Sequence, residues 1–462
     1  MSSSSSSSIT LKGCYTVIPM EPTWNGCLPL TEFDQLDITL YVSLLLYYRP
    51  PQNWLNPSTK IATTLKDSLS RVLVHFYPLA GRLRSKGNTR FELECNAKGV
   101  QFIEAESASS TLPDLGDFSS SDNYCSYLYP HIDYTVPIQD RPLLFVQLTN
   151  FESGDISISL SMSHAIADGQ SGIHFIDEWA RVARGESLKR VPFLDRNILY
   201  NKEPYNGVKE WKFVKPPLLL ENSDSKDEER KNKTTVAIIQ VSKAQIERLT
   251  KISNESWNKS SNERSYTVFE TITGHVWRSA CKARGLKIDQ PTVFGFVVDF
   301  RSRVKPSLPK KYFGNAIVNV VATSLAGDLM SKPLGYASRR IREAIEKVND
   351  KYVRLTLSDY LKKDYDRTMM RRYTLPPFFR NPNLGAVSWM MLSFTKFDFG
   401  WGKEVYMIPG IHTLLEGETF IIPNSQVDGS LVLFTCLQEI YMDAFKRHFS
   451  EGVVELDSLS KL

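Results

Sequence analysis

One stretch, 155–183, constrains the fold of this 462-residue chain more than any other. Ile156, Ile158, Leu160 and Met162 alternate with Ser157, Ser159 and Ser161, the period of a strand with one face buried. Ile173, Ile176, Trp179 and Ala183 then recur at helical spacing. His164 therefore falls in a short turn, Ser163-His164-Ala165-Ile166-Ala167-Asp168-Gly169, between a strand and a helix. Loops at strand ends, held by a rigid scaffold, are where catalytic groups are commonly placed. An ordinary imidazole titrates near pH ~6.5 and exchanges protons at neutral pH, which makes His164 a candidate general base. Three other readings of the turn stay open. The histidine can be a satisfied core residue. His164 and Asp168 can be a metal pair, although no third ligand stands at a ligand spacing nearby. Asp168 can simply cap the helix. A nucleophile elbow of the form Gly-x-Ser-x-Gly is not found.

Composition narrows the partners. The net charge of +5 is spread along the chain without a dense Lys/Arg block, so nucleic acid is not expected. Cys14, Cys27, Cys95, Cys125, Cys281 and Cys436 form no Cys-x-x-Cys pair, and neither a zinc site nor a disulfide framework is suggested. The serine run Ser2 to Ser8 lacks the apolar core of a secretory signal, and nowhere do ~20 apolar residues run together. The expectation is a soluble cytoplasmic protein, not bound to membrane, with a disordered tail at 1–8.

In chain order, the pattern predicts a buried strand at 39–48 and an amphipathic helix at 64–76. A hairpin is predicted over 90–106, turning at Asn96-Ala97-Lys98-Gly99, then a strand at 143–151 leading into the His164 unit. Residues 188–233 combine prolines with a mixed-sign charged run and read as a surface connection between 9–187 and 234–462. Beyond it come strands near 236–241, 293–300, 316–322, 384–394 and 431–438, with helices near 268–284, 336–348 and 442–449. Strands and helices alternate irregularly in both parts, which argues mixed α/β domains.

Asp398-Phe399-Gly400-Trp401-Gly402 reads as a tight structural turn, with two glycines for unusual backbone and two aromatic anchors. Together with His164-x-x-x-Asp168-Gly169, in this order, it resembles the plant BAHD acyltransferases, which move acyl groups from coenzyme A thioesters to alcohols or amines. Tyr77-Pro78-Leu79-Ala80-Gly81-Arg82, Asp299-Phe300-Arg301-Ser302-Arg303, Tyr312-Phe313-Gly314-Asn315 and Asn383-Leu384-Gly385 also match. Within that family Glu21-Pro22-Thr23-Trp24, Val191-Pro192-Phe193-Leu194-Asp195-Arg196 and Gly274-His275-Val276-Trp277 are similar to the spermidine hydroxycinnamoyl transferases.

The resemblance implies two chloramphenicol-acetyltransferase-like domains of mixed α/β fold, with the active site in a channel between them. It also implies that a segment near 384–394 crosses over to pair with the first domain. It makes His164 the catalytic base and points Asp168 away from it, into an ion pair with Arg301. A triad in which Asp168 orients the imidazole is the competing reading. Trp389, and secondarily Ser388, become oxyanion donors, with Asp398, Gly400 and Gly402 as structural support. Tyr266, Thr267 and Lys403 become coenzyme A contacts, and Glu32 and Asp34 contacts to a cationic acceptor. Shikimate-using relatives grip a substrate carboxylate with an arginine where this chain has Thr374, although Arg371 and Arg372 stand close by. The implied activity is hydroxycinnamoyl transfer from an acyl-CoA substrate to spermidine by a monomer with no metal or bound cofactor. An O-acyltransferase acting on a hydroxylated acid or alkaloid, and a catalytically silent acyl-CoA-binding relative, are the alternatives.

Overall fold

The structure is a computed structural model that describes residues 9–55, 59–87, 90–108, 126–200, 217–219, 232–255, 264–360, 380–392, 397–410, 414–424 and 428–454. Two six-stranded sheets organise it. The first has the order β1 (Ile9–Val17), β6 (Val100–Ser107), β7 (Leu144–Phe151), β8 (Ile156–Ser163), β3 (Tyr41–Tyr48) and β13 (Tyr406–Pro409). The second has the order β11 (Ile317–Leu325), β10 (Pro291–Asp299), β12 (Leu384–Ser388), β14 (Glu418–Pro423), β15 (Leu431–Gln438) and β9 (Thr234–Val241). A small sheet of β2 (Gly26–Pro29), β5 (Arg90–Cys95) and β4 (Arg82–Gly87) stands beside the first.

Helices α1 (Lys60–Val72) and α2 (Gly169–Ala183) pack together and belong with the first sheet, where the Trp179 indole donates to Ser68 Oγ at 3.0 Å. Helices α3 (Val268–Ala283), α4 (Leu334–Glu346) and α5 (Glu439–Val454) accompany the second. The first core takes in Phe313, Phe397, Phe399, Trp401 and Phe434 from the later part of the chain. The second takes in Phe33 and Leu199 from the earlier part. The two halves therefore interlock.

Four expectations are corrected. The 90–106 hairpin does not form: β5 pairs with β2 and β4, whereas β6 pairs with β1 and β7. The turn itself is real, with Ala97 and Gly99 at positive φ, but it carries the chain from one sheet to another. The crossover is not made by the described part, 384–392, of the expected 384–394 segment. Leu384–Ser388 pairs in parallel with β10 and β14 of the second sheet, and it is Tyr406–Pro409 that joins the first sheet, antiparallel to β3. Both faces of β8 are buried, not one. Two of its serines find partners inside, Ser161 with Ser43 at 2.8 Å and Ser159 with the Leu128 carbonyl, while the buried hydroxyls of Ser157 and Ser163 have none among the described residues. Finally, part of the supposed surface connection lies inside. Phe193 forms a bridge with Tyr312, and Arg196 and Leu199 are each 1% exposed.

Candidate active site

The turn 163–169 is fixed through its backbone. His164 N–H donates to the Leu40 carbonyl at 2.8 Å, and its own carbonyl accepts from Asn315 Nδ2 at 2.7 Å. Two residues on, the Ile166 carbonyl accepts from Arg196 Nη2 at 2.8 Å. Ala165, Ile166 and Ala167 are buried between these anchors, while His164 is only half-buried. Among the described residues its imidazole takes no hydrogen bond; in the neutral ring one nitrogen carries a proton and the other can accept one.

Asp168 closes the turn as the amino cap of α2. Its Oδ1 accepts from the Ser171 N–H at 3.0 Å and Arg301 Nη2 at 2.9 Å; Oδ2 accepts from the Ala316 N–H at 2.9 Å and lies 2.8 Å from Arg301 Nη1. With two donors on each oxygen the carboxylate has no capacity left for an imidazole. Burial by itself would push this carboxyl up. The charge and hydrogen bonds of Arg301, with the two backbone donors, outweigh that and hold it below the usual carboxylate range. Arg301 also reaches Asp299 at 2.6 Å, and these two carboxylates raise it above the ordinary arginine range despite its burial.

Trp389 continues β12 by donating its N–H to the Ile421 carbonyl at 2.9 Å, and its ring stands edge-on to Phe420 at 5.5 Å. A Cβ built on Gly169 would lie 4.0 Å from the Trp389 indole nitrogen and 3.1 Å from Leu392 Cδ1. The indole N–H is thus beside the first residue of α2, next to the His164 turn. Ser388 is half-buried and accepts from the Met390 N–H at 3.3 Å.

The turn 398–402 docks elsewhere, at the carboxyl end of α2. Asp398 Oδ1 accepts from the N–H groups of Gly400 and Gly402 at 2.8 and 3.0 Å. Both glycines have φ above +100°, at +117° and +108°, where any side chain would be strained. Phe399 and Trp401 stack at 5.6 Å and are buried against Trp179, Tyr48 and Trp54. Lys403 follows, exposed.

Glu32 and Asp34 have roles other than an open acceptor pocket. Asp34 Oδ2 accepts from the Thr31 N–H and hydroxyl, both at 2.8 Å, and lies 3.2 Å from Arg196 Nε. Its Oδ1 accepts from the backbone and side-chain amides of Asn315, both at 2.9 Å. Glu32 is 2% exposed and ion-paired with Arg90. Both carboxylates are engaged by the protein itself.

At a separate place, the Tyr266 ring lies under the Arg342 guanidinium at 4.1 Å. The Thr267 hydroxyl is held by the capping box of α3, accepting from the Glu270 N–H at 3.2 Å. Arg371, Arg372 and Thr374 lie outside the described residues.

Sequence reasoning gave no role to Asn315 or Arg196. Both are buried, and both tie the His164 turn to Asp34. The available signal was a charged or amide residue inside a stretch that already carried the family likeness. Among the described residues no cluster of three metal-ligating side chains occurs, and no helix is long and apolar enough to cross a membrane.

Comparison with known proteins places this geometry. The profile described as Transferase family matches residues 7–452. The chain is 38% identical to hydroxycinnamoyl-CoA:piscidic acid hydroxycinnamoyltransferase of Actaea racemosa, over 96% of this chain and 100% of that one. It is 36% identical to shikimate O-hydroxycinnamoyltransferase of Nicotiana tabacum, over 93% and 95%. Anthranilate N-benzoyltransferase protein 1 of Dianthus caryophyllus is 35% identical, over 96% and 99%. The fold is that of crystalline vinorine synthase, with a TM-score of 0.72 and 22% identity over 96% of this chain and 98% of that one. The F. graminearum TRI101 complex with coenzyme A and deoxynivalenol gives the same TM-score, with 16% identity over 91% and 97%. A mixed α/β fold with two sheet-containing domains, the histidine turn between strand and helix, and full-length likeness to these enzymes agree: the chain belongs to the Transferase family, the BAHD acyltransferases.

Proposed function

We propose that this acyltransferase moves a hydroxycinnamoyl group from its coenzyme A thioester to an amine of spermidine. The neutral amine attacks the thioester carbonyl while a ring nitrogen of His164 takes the proton released as the carbon–nitrogen bond forms. The Trp389 indole N–H, with Ser388 as a second donor, stabilises the oxyanion of the tetrahedral intermediate. Collapse breaks the carbon–sulfur bond, and protonated His164 returns its proton to the departing thiolate. A well-placed general base supplies roughly 10²–10⁴ in rate, and one oxyanion donor about 10²–10³. The reaction needs no metal or bound cofactor. Lys403, Tyr266 and Thr267 stay candidates for contacts to coenzyme A, and we read the working form as a cytoplasmic monomer.

The observation that supports the chemistry best is the meeting of two elements. A backbone-locked turn leaves an imidazole without hydrogen bonds among the described residues, and the indole nitrogen of Trp389 stands at the start of the next helix. The amine acceptor rests on the sequence likeness to spermidine transferases. Transfer to a hydroxylated acid is the second reading, favoured by the piscidic acid and shikimate enzymes among the relatives.

The test is thiol release from p-coumaroyl-CoA by the purified chain, with spermidine and shikimate in parallel and products identified by mass. Release with spermidine alone is expected. Release with shikimate alone keeps the mechanism and discards the amine acceptor.

A further inference from the structure

The second sheet has two unlike faces. Phe296, Val320, Ala386 and Ile421 lie on one of them, buried in the core that the helices of this half complete. Side chains alternate along a strand, so their neighbours Val297, Val321, Val387 and Phe420 project from the other. Those residues are only partly buried. Val387 and Phe420, directly paired, pack against the first core, and Phe420 carries the Trp389 indole. The second face is thus the one turned towards the reaction site.

Glu418 stands on that face, two residues before Phe420 on β14. The register sets it directly beside Gly385 of β12, which is itself paired with Gly295 of β10. Neither glycine has a side chain to fill the space next to the carboxylate. The carboxylate is poorly compensated for its surroundings. Among the described residues its one hydrogen bond comes from the Leu415 N–H, at 3.1 Å to Oε2, and it has no ion pair. Glu416, two residues earlier, is by contrast bonded to Arg284 at 2.5 Å and to the Asn381 N–H at 3.0 Å. Burial pushes the Glu418 carboxyl up to about 7. A carboxylate taken largely out of water is normally paired with a cation or well supplied with hydrogen-bond donors.

We propose that Glu418 is a binding residue for the acceptor, receiving a protonated amine that is not the one being acylated. The inference rests on the amine-acceptor reading above. Gly385 is level with Glu418, and Trp389 is four residues further along the same extended segment. At about 3.3 Å per residue the two levels are roughly 13 Å apart, less the reach of the glutamate side chain. A linear polyamine can bridge such a span, with one ammonium on Glu418 and a neutral amine at His164. A compact hydroxy acid cannot, and its own carboxylate would be repelled. Phe420, between the two levels, offers an aromatic edge and face to the connecting methylene chain.

The experiment uses the full chain with p-coumaroyl-CoA and two acceptors, spermidine and n-butylamine, which lacks a second charge. The wild type is expected to prefer spermidine in kcat/KM. Glu418→Gln is expected to reduce that preference roughly ten- to hundredfold, mainly through KM for spermidine, as for the loss of a charge-assisted hydrogen bond. An unchanged preference in a variant with wild-type melting behaviour overturns the role of Glu418 and leaves the acceptor reading standing. A wild type that releases no thiol with spermidine overturns both. Where Glu418→Gln does not fold, Glu418→Asp carries the same comparison: the shorter carboxylate is expected to reduce the preference by a smaller factor, and an unchanged preference counts against the proposal.

Discussion

At the amino end of α2, the turn 163–169 fixes its backbone and leaves one imidazole without hydrogen bonds among the described residues. At the carboxyl end, the turn 398–402 does the reverse. Its aromatic side chains are buried and stacked, while its backbone adopts left-handed angles at Gly400 and Gly402 that only glycine tolerates comfortably. The first arrangement keeps a reactive group in place without occupying it. The second places nothing reactive at all: Asp398 hydrogen-bonds its own turn, and Phe399 and Trp401 join a distant part of the chain to α2. Two short motifs of similar visibility in the sequence therefore do different physical work, one chemical and one cohesive.

The largest expected effect tests the chemical side. His164→Ala should lower product formation by roughly 10²–10⁴ while its melting curve stays at the wild-type position. A variant that turns over normally removes His164 as the base and makes the two turns alike.

Next, Phe399→Ala should cost about 3–5 kcal/mol of stability, as for other buried aromatic truncations, and the molecules that remain folded should retain wild-type kcat. Denaturant unfolding with an active-site titration separates these quantities. A stable Phe399→Ala with low kcat would mean that the cohesive turn also shapes the site.

The smallest effect sharpens the boundary between the two, at Asp168. Its carboxyl is held below the ordinary range in the fold, so it contributes stability that is present above pH ~4 and lost as pH falls through the folded value. Asp168→Asn lacks that contribution. The stability gap between wild type and variant should be widest near neutral pH and narrow in acid, with kcat largely kept in the folded fraction. A gap that ignores pH contradicts the ion-pair account. A well-folded Asp168→Asn that is nearly inactive would restore the triad.

The unit that carries His164 was readable because its two periodicities are local: alternation over β8, then helical recurrence over α2. Partners in a sheet are not local. The Asn96-Ala97-Lys98-Gly99 signal correctly marks a turn, but nothing near it says that β5 and β6 will choose different neighbours. The same holds for Tyr406–Pro409, four residues whose destination depends on the open edge of β3. Buried polar groups were misread for a related reason. Arg196 sits in a proline-rich, charged stretch that has the composition of a solvated connection, and its interior position comes from Asp34 and Ile166, both remote in sequence. Asp34 and Glu418 look alike as isolated carboxylates. Only the fold separates one surrounded by donors from one that, among the described residues, has a single N–H.

The strand Tyr406–Pro409 also bears on how the chain is made. On a ribosome, β3 emerges early and pairs on one side with β8, but the strand that covers its other side follows only after most of the second half has been synthesised. Until then an apolar segment, Tyr-Val-Ser-Leu-Leu-Leu-Tyr-Tyr, presents a row of unpaired backbone groups, a template for pairing with any other extended chain. Pairings this distant in sequence form slowly. A first half made alone would therefore leave that edge of β3 uncovered, open to pairing with another extended chain.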